Sequence, residues 1–580
     1  MMQMHKKWNR SRSRKGALRE IDPDEIFLDS RNIPGFDTDQ FEGRFEKPIS
    51  RGSLYAVLIF FVLLVVVYGG KTWLLDVVHG QQFTALSENN RLRHTPIFAA
   101  RGVIYDRNGV ELAWNAPSPL PPVDSAATST SPTSDISDVS LRKYKDIPGL
   151  AHVLGYVQYP TKDSSGFYYQ EDFQGVDGAE KYFNNILQGT NGLKLIEVDA
   201  HGKVQSENSI QAPKEGGNVT LSIDSRVQSE LHTAIGNVAN SVGFAGGGGI
   251  IMDIHTGEVI ALTSYPEFKP EVMSSKTDKE LVKKYLIDKN KPFLDRVVDG
   301  LYSPGSIVKP YVALGALNEH IIDPLTKIVG TAYIAIPNPY DPKLETRFRD
   351  WKAQGLVDMR KAIAVSSDVY FYEVGGGYKD QPGLGIARID QYMQKFGFGQ
   401  PIANSFFTGG KGLVPTPDWK RQHFNESWFV GDTYHTAIGQ YAFQVTPIQM
   451  VRAVASIANS GMLLDPVILK GEQGVSRQID IPAQDFKVIQ EGMRQGALEG
   501  TGVSLNVPYV HIATKSGTAE LGVSKENVNS WMTGFFPYEN PRYAFAVVME
   551  SGSRHNLIGA GAAMRQTIDW MNANTPEYFK

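Results

Sequence analysis

From Leu54 to Tyr68 the chain is uninterruptedly apolar, and the run resumes after Gly69, Gly70 and Lys71 at Trp73, Leu74 and Leu75. A helix needs roughly 20 such residues to cross the hydrocarbon of a bilayer. Residues 54–75 are therefore expected to form one transmembrane helix, with the Lys71 amine reaching toward the headgroups and Trp73 at the interface. The bland alternative is a buried core helix. A cleaved signal peptide fits poorly, because a long polar tail precedes the run and no small-residue cleavage site follows it.

Lys6, Lys7, Arg10, Arg12, Arg14, Lys15 and Arg19, with Arg44, Lys47 and Arg51 nearer the span, put the N-terminus in the cytoplasm by the positive-inside rule. The rest of the chain is then extracytoplasmic (periplasmic), anchored in the inner membrane by a single pass. The basic cluster has a competing reading as a nucleic-acid contact, but Asp22, Asp24 and Glu25 interrupt it and no aromatic stacking pattern accompanies it. A net charge of -4 gives no global drive toward nucleic acid. With no cysteine, disulfides, thiolate metal ligands and cysteine nucleophiles are excluded.

At 580 residues and 42% hydrophobic the chain has material for about two or three folded units. Residues 1–53 mix charge with Gly and Pro and are expected to be a mostly disordered tail. Residues 76–215 form the next unit, mainly β, opening with a strand, turn and strand over Ile97–Asn115, in which Asn108-Gly109 supplies the turn. Within it, residues 117–140 are dominated by Ser, Thr, Pro, Ala and Asp and read as a flexible excursion. Gly178–Leu187 reads as a helix ending before Gly189.

Residues 216–580 form the last unit, opened by a strand at Val219–Ile223 and a helix at Ser225–Val242 with Val227, Leu231 and Ile235 on one stripe. Strands are expected at Ile250–Ile254, Val259–Thr263, Val510–Thr514, Trp531–Phe536 and Tyr543–Glu550, with a closing helix near Ala560–Asn572. The fold class is an α/β (α+β) domain with a sheet of about five mainly antiparallel strands between helices.

Three short elements carry the chemistry. Ser306-Ile307-Val308-Lys309 starts a helix, where unpaired backbone N–H groups and the helix dipole favour a developing oxyanion. Lys309 lies one turn on, over the same face as Ser306. A lysine of ordinary pKa about 10.4 is a poor base at pH 7, so that value must fall by roughly 3, worth about 4 kcal/mol, through burial or a nearby cation such as Lys515. Ser366-Ser367-Asp368 comes second; its bland reading is a pair of helix-cap serines.

The third element, Lys515-Ser516-Gly517-Thr518, is expected at the end of the strand from Val510, where an edge strand binds an extended peptide and its carboxylate. A solvated strand end is its bland reading. Spacing alone is weak, since Ser140 and Lys143 in the expected linker share that of Ser306 and Lys309. What raises the odds is the order of the three elements, separated by about 60 and then about 150 residues.

These residues resemble the class B penicillin-binding proteins from about Asn90 to the C-terminus. Arg101-Gly102-Val103-Ile104-Tyr105-Asp106-Arg107-Asn108-Gly109 is similar to that family's juxtamembrane pedestal signature, and His152–Val157, Gly178–Glu180, Thr220–Asp224, Gly439-Gln440 and Thr446–Met450 extend the match. The Ser-x-Asp form of the second element, with Asp368, is similar to the elongation-type enzymes rather than the division type.

The resemblance implies Ser306 as nucleophile, Lys309 as general base and Ser366 as proton relay. Lys515, Ser516 and Thr518 would hold the terminal carboxylate of a D-alanyl-D-alanine stem peptide, with the N–H groups of Ser306 and Thr518 as oxyanion hole. It further implies a D,D-transpeptidase of peptidoglycan synthesis, trapped by β-lactams and partnered by a multi-spanning glycan polymerase of the shape, elongation, division and sporulation family. Some relatives hold zinc through a cysteine; this chain has none, its histidines lack ligand spacing, and no metal or cofactor is expected. Competing readings are a β-lactam sensor or polymerase-activating scaffold without turnover, a β-lactamase, and a division-type transpeptidase. The β-lactamase reading is the lesser enzyme reading, because efficient deacylation needs a positioned base for water and this chain has no Glu-x-x-Leu-Asn element between the second and third motifs.

Overall fold

The computed structural model describes residues 51–79, 92–117, 139–163, 168–198, 204–338, 341 and 343–580. The expected disordered tail and the Ser/Thr/Pro-rich excursion lie almost wholly outside the described residues. The chain divides into two compact units, 1–91 and 92–580, each described by itself. In the first, α1 (Arg51–Trp73) continues through a π-helical turn at Leu74–Val78. Its segment Leu54–Val78 is long and apolar enough to cross a membrane, and none of it is buried. Apolar side chains on every face of an unburied helix suit lipid rather than water.

The second unit opens with strand Leu92–Ile97, which pairs antiparallel with Gly192–Val198, itself paired with Val204–Gln211. The strand expected from Ile97 is thus split. Its first part belongs to this sheet, and only Ile104–Tyr105 pairs with Glu111–Ala116 as the expected hairpin. The Asp106 carboxylate closes that turn by accepting from Asn108 N at 2.8 Å and Val110 N at 2.9 Å.

Val219–Thr220 departs from expectation as well. Expected over Val219–Ile223 as the opening of the last unit, it is two residues long and pairs in parallel with Ile104–Tyr105 of the preceding hairpin. The helix expected over Gly178–Leu187 is two, Gly178–Tyr182 and Asn184–Leu187. Buried Glu180 receives Arg101 Nε at 2.6 Å and Arg142 Nε at 2.7 Å. Asn184 at the break takes Arg101 Nη1 at 2.9 Å.

The remaining chain builds a five-stranded antiparallel sheet from β1 (Gly246–Asp253), β2 (Val259–Tyr265), β3 (Ala513–Leu521), β4 (Asn527–Phe536) and β5 (Tyr543–Ser553). The spatial order is β2-β1-β5-β4-β3, which leaves β3 at an edge. Alternate residues of the central strands go to opposite faces. Ile251, Phe545, Val547 and Met549 pack with α2 (Ser225–Val242), while Ile250, Met252, Ala546 and Val548 join the larger core beneath the middle of the chain.

Four consecutive glycines open β1 because both faces are approached closely: a Cβ at Gly247 or Gly249 would meet Ile235 at 2.8 or 3.1 Å, and one at Gly246 or Gly248 would meet Arg296 at 2.8 or 3.1 Å. Side chains there would push off the layers that give the sheet its stability, where each buried Leu or Ile contributes about 2 kcal/mol.

Between β2 and β3 run α3 (Lys309–Asn318), α4 (Met359–Val365), α5 (Asp368–Gly376), α6 (Pro447–Ala458) and α7 (Ala483–Glu499). The closing helix, α8 (Ala560–Asn574), packs on the α2 face. The third motif is not at a strand end as expected. Lys515–Thr518 lie inside β3, which extends to Leu521 and is paired throughout with β4.

Candidate active site

The chain reaches Ser306 through a left-handed Gly305, at φ +58°, whose N–H donates to Gly439 O at 2.8 Å. A Cβ on Gly305 would sit 2.6 Å from Thr518 O, so its bareness lets this segment lie against β3. Ser306 occupies a 3-10 turn, Gly305–Val308, that leads directly into α3, with Pro310 in the first turn where no N–H is required. Trp531 of β4 donates its indole N–H to Ser303 O at 3.0 Å and holds the approach to the serine.

Lys309 is fully buried, and its Nζ donates to Asp368 Oδ1 at 2.7 Å and Ser366 O at 2.7 Å, with Ser366 Oγ at 3.4 Å. Ser366 stands between α4 and α5 in the left-handed conformation, φ 59°, which is uncommon for a residue with a side chain. Its hydroxyl faces the second amine: Lys515 Nζ lies 2.8 Å from Ser366 Oγ and 2.7 Å from Ser516 O. Burial, and then the neighbouring Lys309 charge, hold the Lys515 amine well below the ordinary lysine value. Burial also raises the Asp368 carboxyl, against the pull of Lys309.

These groups surround a cleft of about 690 Å³ lined by Ser306, Ser366, Asp368, Ser516, Gly517 and Thr518. Every residue singled out in the three elements therefore converges here, or, like Lys309 and Lys515, lies directly behind the lining. Ser516 Oγ reaches Thr501 Oγ1 at 2.6 Å, while Thr518 is exposed toward the cleft. The decoy lysine behaves otherwise. Lys143 sits on strand Leu141–Tyr144, not in a linker, and pairs with Glu271 on the surface. A hydroxyl at a helix start, a second hydroxyl bridging two amines, and an open strand edge together suit acyl transfer through serine.

Residues 247–569 match the family model described as the penicillin binding protein transpeptidase domain. Residues 125–221 match the penicillin-binding protein dimerisation domain. The peptidoglycan D,D-transpeptidase MrdA of Salmonella typhimurium is 30% identical, the alignment covering 89% of this chain and 95% of that protein. The chain is a class B penicillin-binding protein of the elongation type.

Among solved structures, Pseudomonas aeruginosa PBP2 in complex with WCK 5153 is similar to this penicillin-binding protein at a TM-score of 0.65 and 29% identity, over 83% of this chain and 97% of that one. A chain from "Structural coordination of polymerization and crosslinking by a peptidoglycan synthase complex" is similar at a TM-score of 0.68 and 25% identity, over 90% and 98%.

Sequence reasoning missed four residues of this penicillin-binding protein that surround the site: Asp350, Trp351, Thr501 and Trp531. Trp351 follows a charged stretch, Arg347–Asp350, and nothing local distinguishes it from a surface residue.

Proposed function

We propose that this elongation-type enzyme cross-links peptidoglycan stem peptides through an ester on Ser306. Supporting this reading above all is the Ser366 hydroxyl, which links the amines of Lys309 and Lys515 at the wall of the cleft that Ser306 lines. Ser306 Oγ attacks the carbonyl carbon of the penultimate D-alanine, and its proton passes to Lys309 as general base. The tetrahedral oxyanion is held by the N–H groups of Ser306 and Thr518. The C–N bond then breaks, the departing D-alanine amine receiving a proton through Ser366, and an ester remains. The amine of a neighbouring stem peptide attacks the ester carbonyl; a new amide C–N bond forms as the C–O bond to Ser306 breaks, and the proton lost by that amine restores the Ser306 hydroxyl.

The donor peptide lies along the free edge of β3 as a further strand, its terminal carboxylate at Thr518 and Ser516, with Lys515 behind them. β-Lactams enter the same edge and leave Ser306 as a stable ester. The apolar helix over Leu54–Val78 anchors the enzyme in the inner membrane with its N-terminus in the cytoplasm and its catalytic domain in the periplasm. The likeness to a chain of a peptidoglycan synthase complex supports a multi-spanning glycan polymerase as partner.

Labelling with a fluorescent penicillin, combined with assay of cross-linked product from the wild type and Ser306→Ala, tests the proposal. Labelling and product both lost in the variant are expected. Labelling of the wild type without product would replace the enzyme with a sensor or scaffold.

A further inference from the structure

Ser366 is held in its left-handed conformation from outside its own helices. The turn Arg349–Trp351 reaches across to both ends of the α4–α5 junction. On one side, the Trp351 indole N–H donates to Val365 O at 3.2 Å. On the other, a single oxygen of buried Asp350, Oδ2, accepts from Ser367 Oγ at 2.7 Å and from Val369 N at 3.0 Å. Ser367 in turn caps α5, its oxygen accepting from Tyr370 N at 3.3 Å.

The turn is itself fixed. Asp350 N donates to Ala332 O at 2.9 Å, Trp351 N donates to Asp350 Oδ1 at 2.8 Å, and Tyr372 OH donates to Arg349 O at 3.2 Å. The residue before Ser366 and the residue after it are therefore both tied to adjacent positions of one external turn. Ser366 itself takes Lys309 at its carbonyl and Lys515 at its hydroxyl.

We infer that Asp350 is a positioning residue for acyl transfer: by holding Ser367 and Val369 it keeps the Ser366 hydroxyl between the Lys309 and Lys515 amines. This rests on the reading of Ser366 as the proton relay. Asp350 touches no reacting atom and acts only through the junction it clamps. The pattern of its bonds also says what a replacement must keep. Asparagine retains an oxygen for Ser367 and Val369 and loses only the bond from Trp351 N, whereas alanine loses all three.

The test is the acylation rate of the full-length chain in detergent, read with a fluorescent penicillin, for single and paired variants. Asp350→Ala is expected to slow acylation about 30-fold or more, Asp350→Asn less than about 5-fold, and neither to slow it further once Ser366 is alanine. If Asp350→Ala does not fold, Ser367→Ala breaks the same contact from the other side, and a loss of about 5-fold that vanishes in Ser366→Ala is expected. A purely structural role would instead add its loss in both backgrounds. Losses that persist undiminished beside Ser366→Ala, or an unchanged rate in Ser367→Ala, would overturn the inference alone. A wild-type rate in Ser366→Ala would overturn it together with the relay.

Discussion

Lys515 Nζ and Ser366 Oγ meet at 2.8 Å across 149 residues of sequence. That contact joins an edge strand to a helix junction. It makes the site a property of the folded domain rather than of any one motif.

Ser306→Ala is expected to abolish labelling by a fluorescent penicillin, and Lys309→Ala to reduce it by about 100-fold or more, as expected for loss of a general base. Lys143→Ala removes only a surface pair with Glu271 and should leave labelling intact. Gel fluorescence over a time course measures all three, and wild-type labelling of the Lys309 variant would remove the proposed base.

The pH dependence of stability should carry the imprint of Lys515. Its folded-state pKa lies well below the ordinary 10.5, so between those two values the unfolded chain binds more protons than the native one. Stability therefore rises with pH through that window, by linkage. Lys515→Met removes the titration, so the stability of the wild type relative to the variant should improve between pH 7 and 10. Denaturant melts at several pH values read this slope; a relative stability that falls with pH would contradict the buried, depressed amine.

Gly305→Ala places a Cβ 2.6 Å from Thr518 O at a residue with φ +58°. The backbone strain alone is about 1–2 kcal/mol, and relief of the clash must separate the serine turn from β3. Acylation should slow by about 10-fold or more while the thermal midpoint falls by only a few degrees. Equal rates in variant and wild type would mean that the close approach is not needed.

Glu180→Gln leaves Arg101 and Arg142 buried without their shared counter-charge. Breaking a buried ion network from one side costs about 3–5 kcal/mol. Chemical denaturation is expected to show that loss in the transition that includes residues 101–184. A change below about 1 kcal/mol would mean that the guanidinium groups find other partners, such as water, at little cost.

The first and third motifs were legible because each needs only a local signal: a serine and a lysine one helical turn apart, and lysine and hydroxyls around a glycine on a strand. The membrane helix and the closing helix were legible for the same reason, through composition and period. Pairing partners were not. Val219 and Thr220 alternate like any strand, and nothing in them says that they lie beside Ile104 and Tyr105.

The length of β3 was also hidden, because its second half, with Thr518 and Glu520, carries polar residues at a free edge where no apolar alternation is demanded. Asp350 was invisible for a different reason. Its value lies in two bonds to a junction 17 and 19 residues away, and a lone aspartate after two arginines looks like solvated charge.

The Val219–Thr220 strand has one further consequence. It forms the rim of the N-terminal hairpin's sheet, and Asp224, four residues past Thr220, already caps α2, while Asp106 of the hairpin turn accepts from Ser225 Oγ at 2.7 Å. No slack chain separates the two regions there. A pull on that hairpin arrives at the first turn of α2 as through a bar, not a tether.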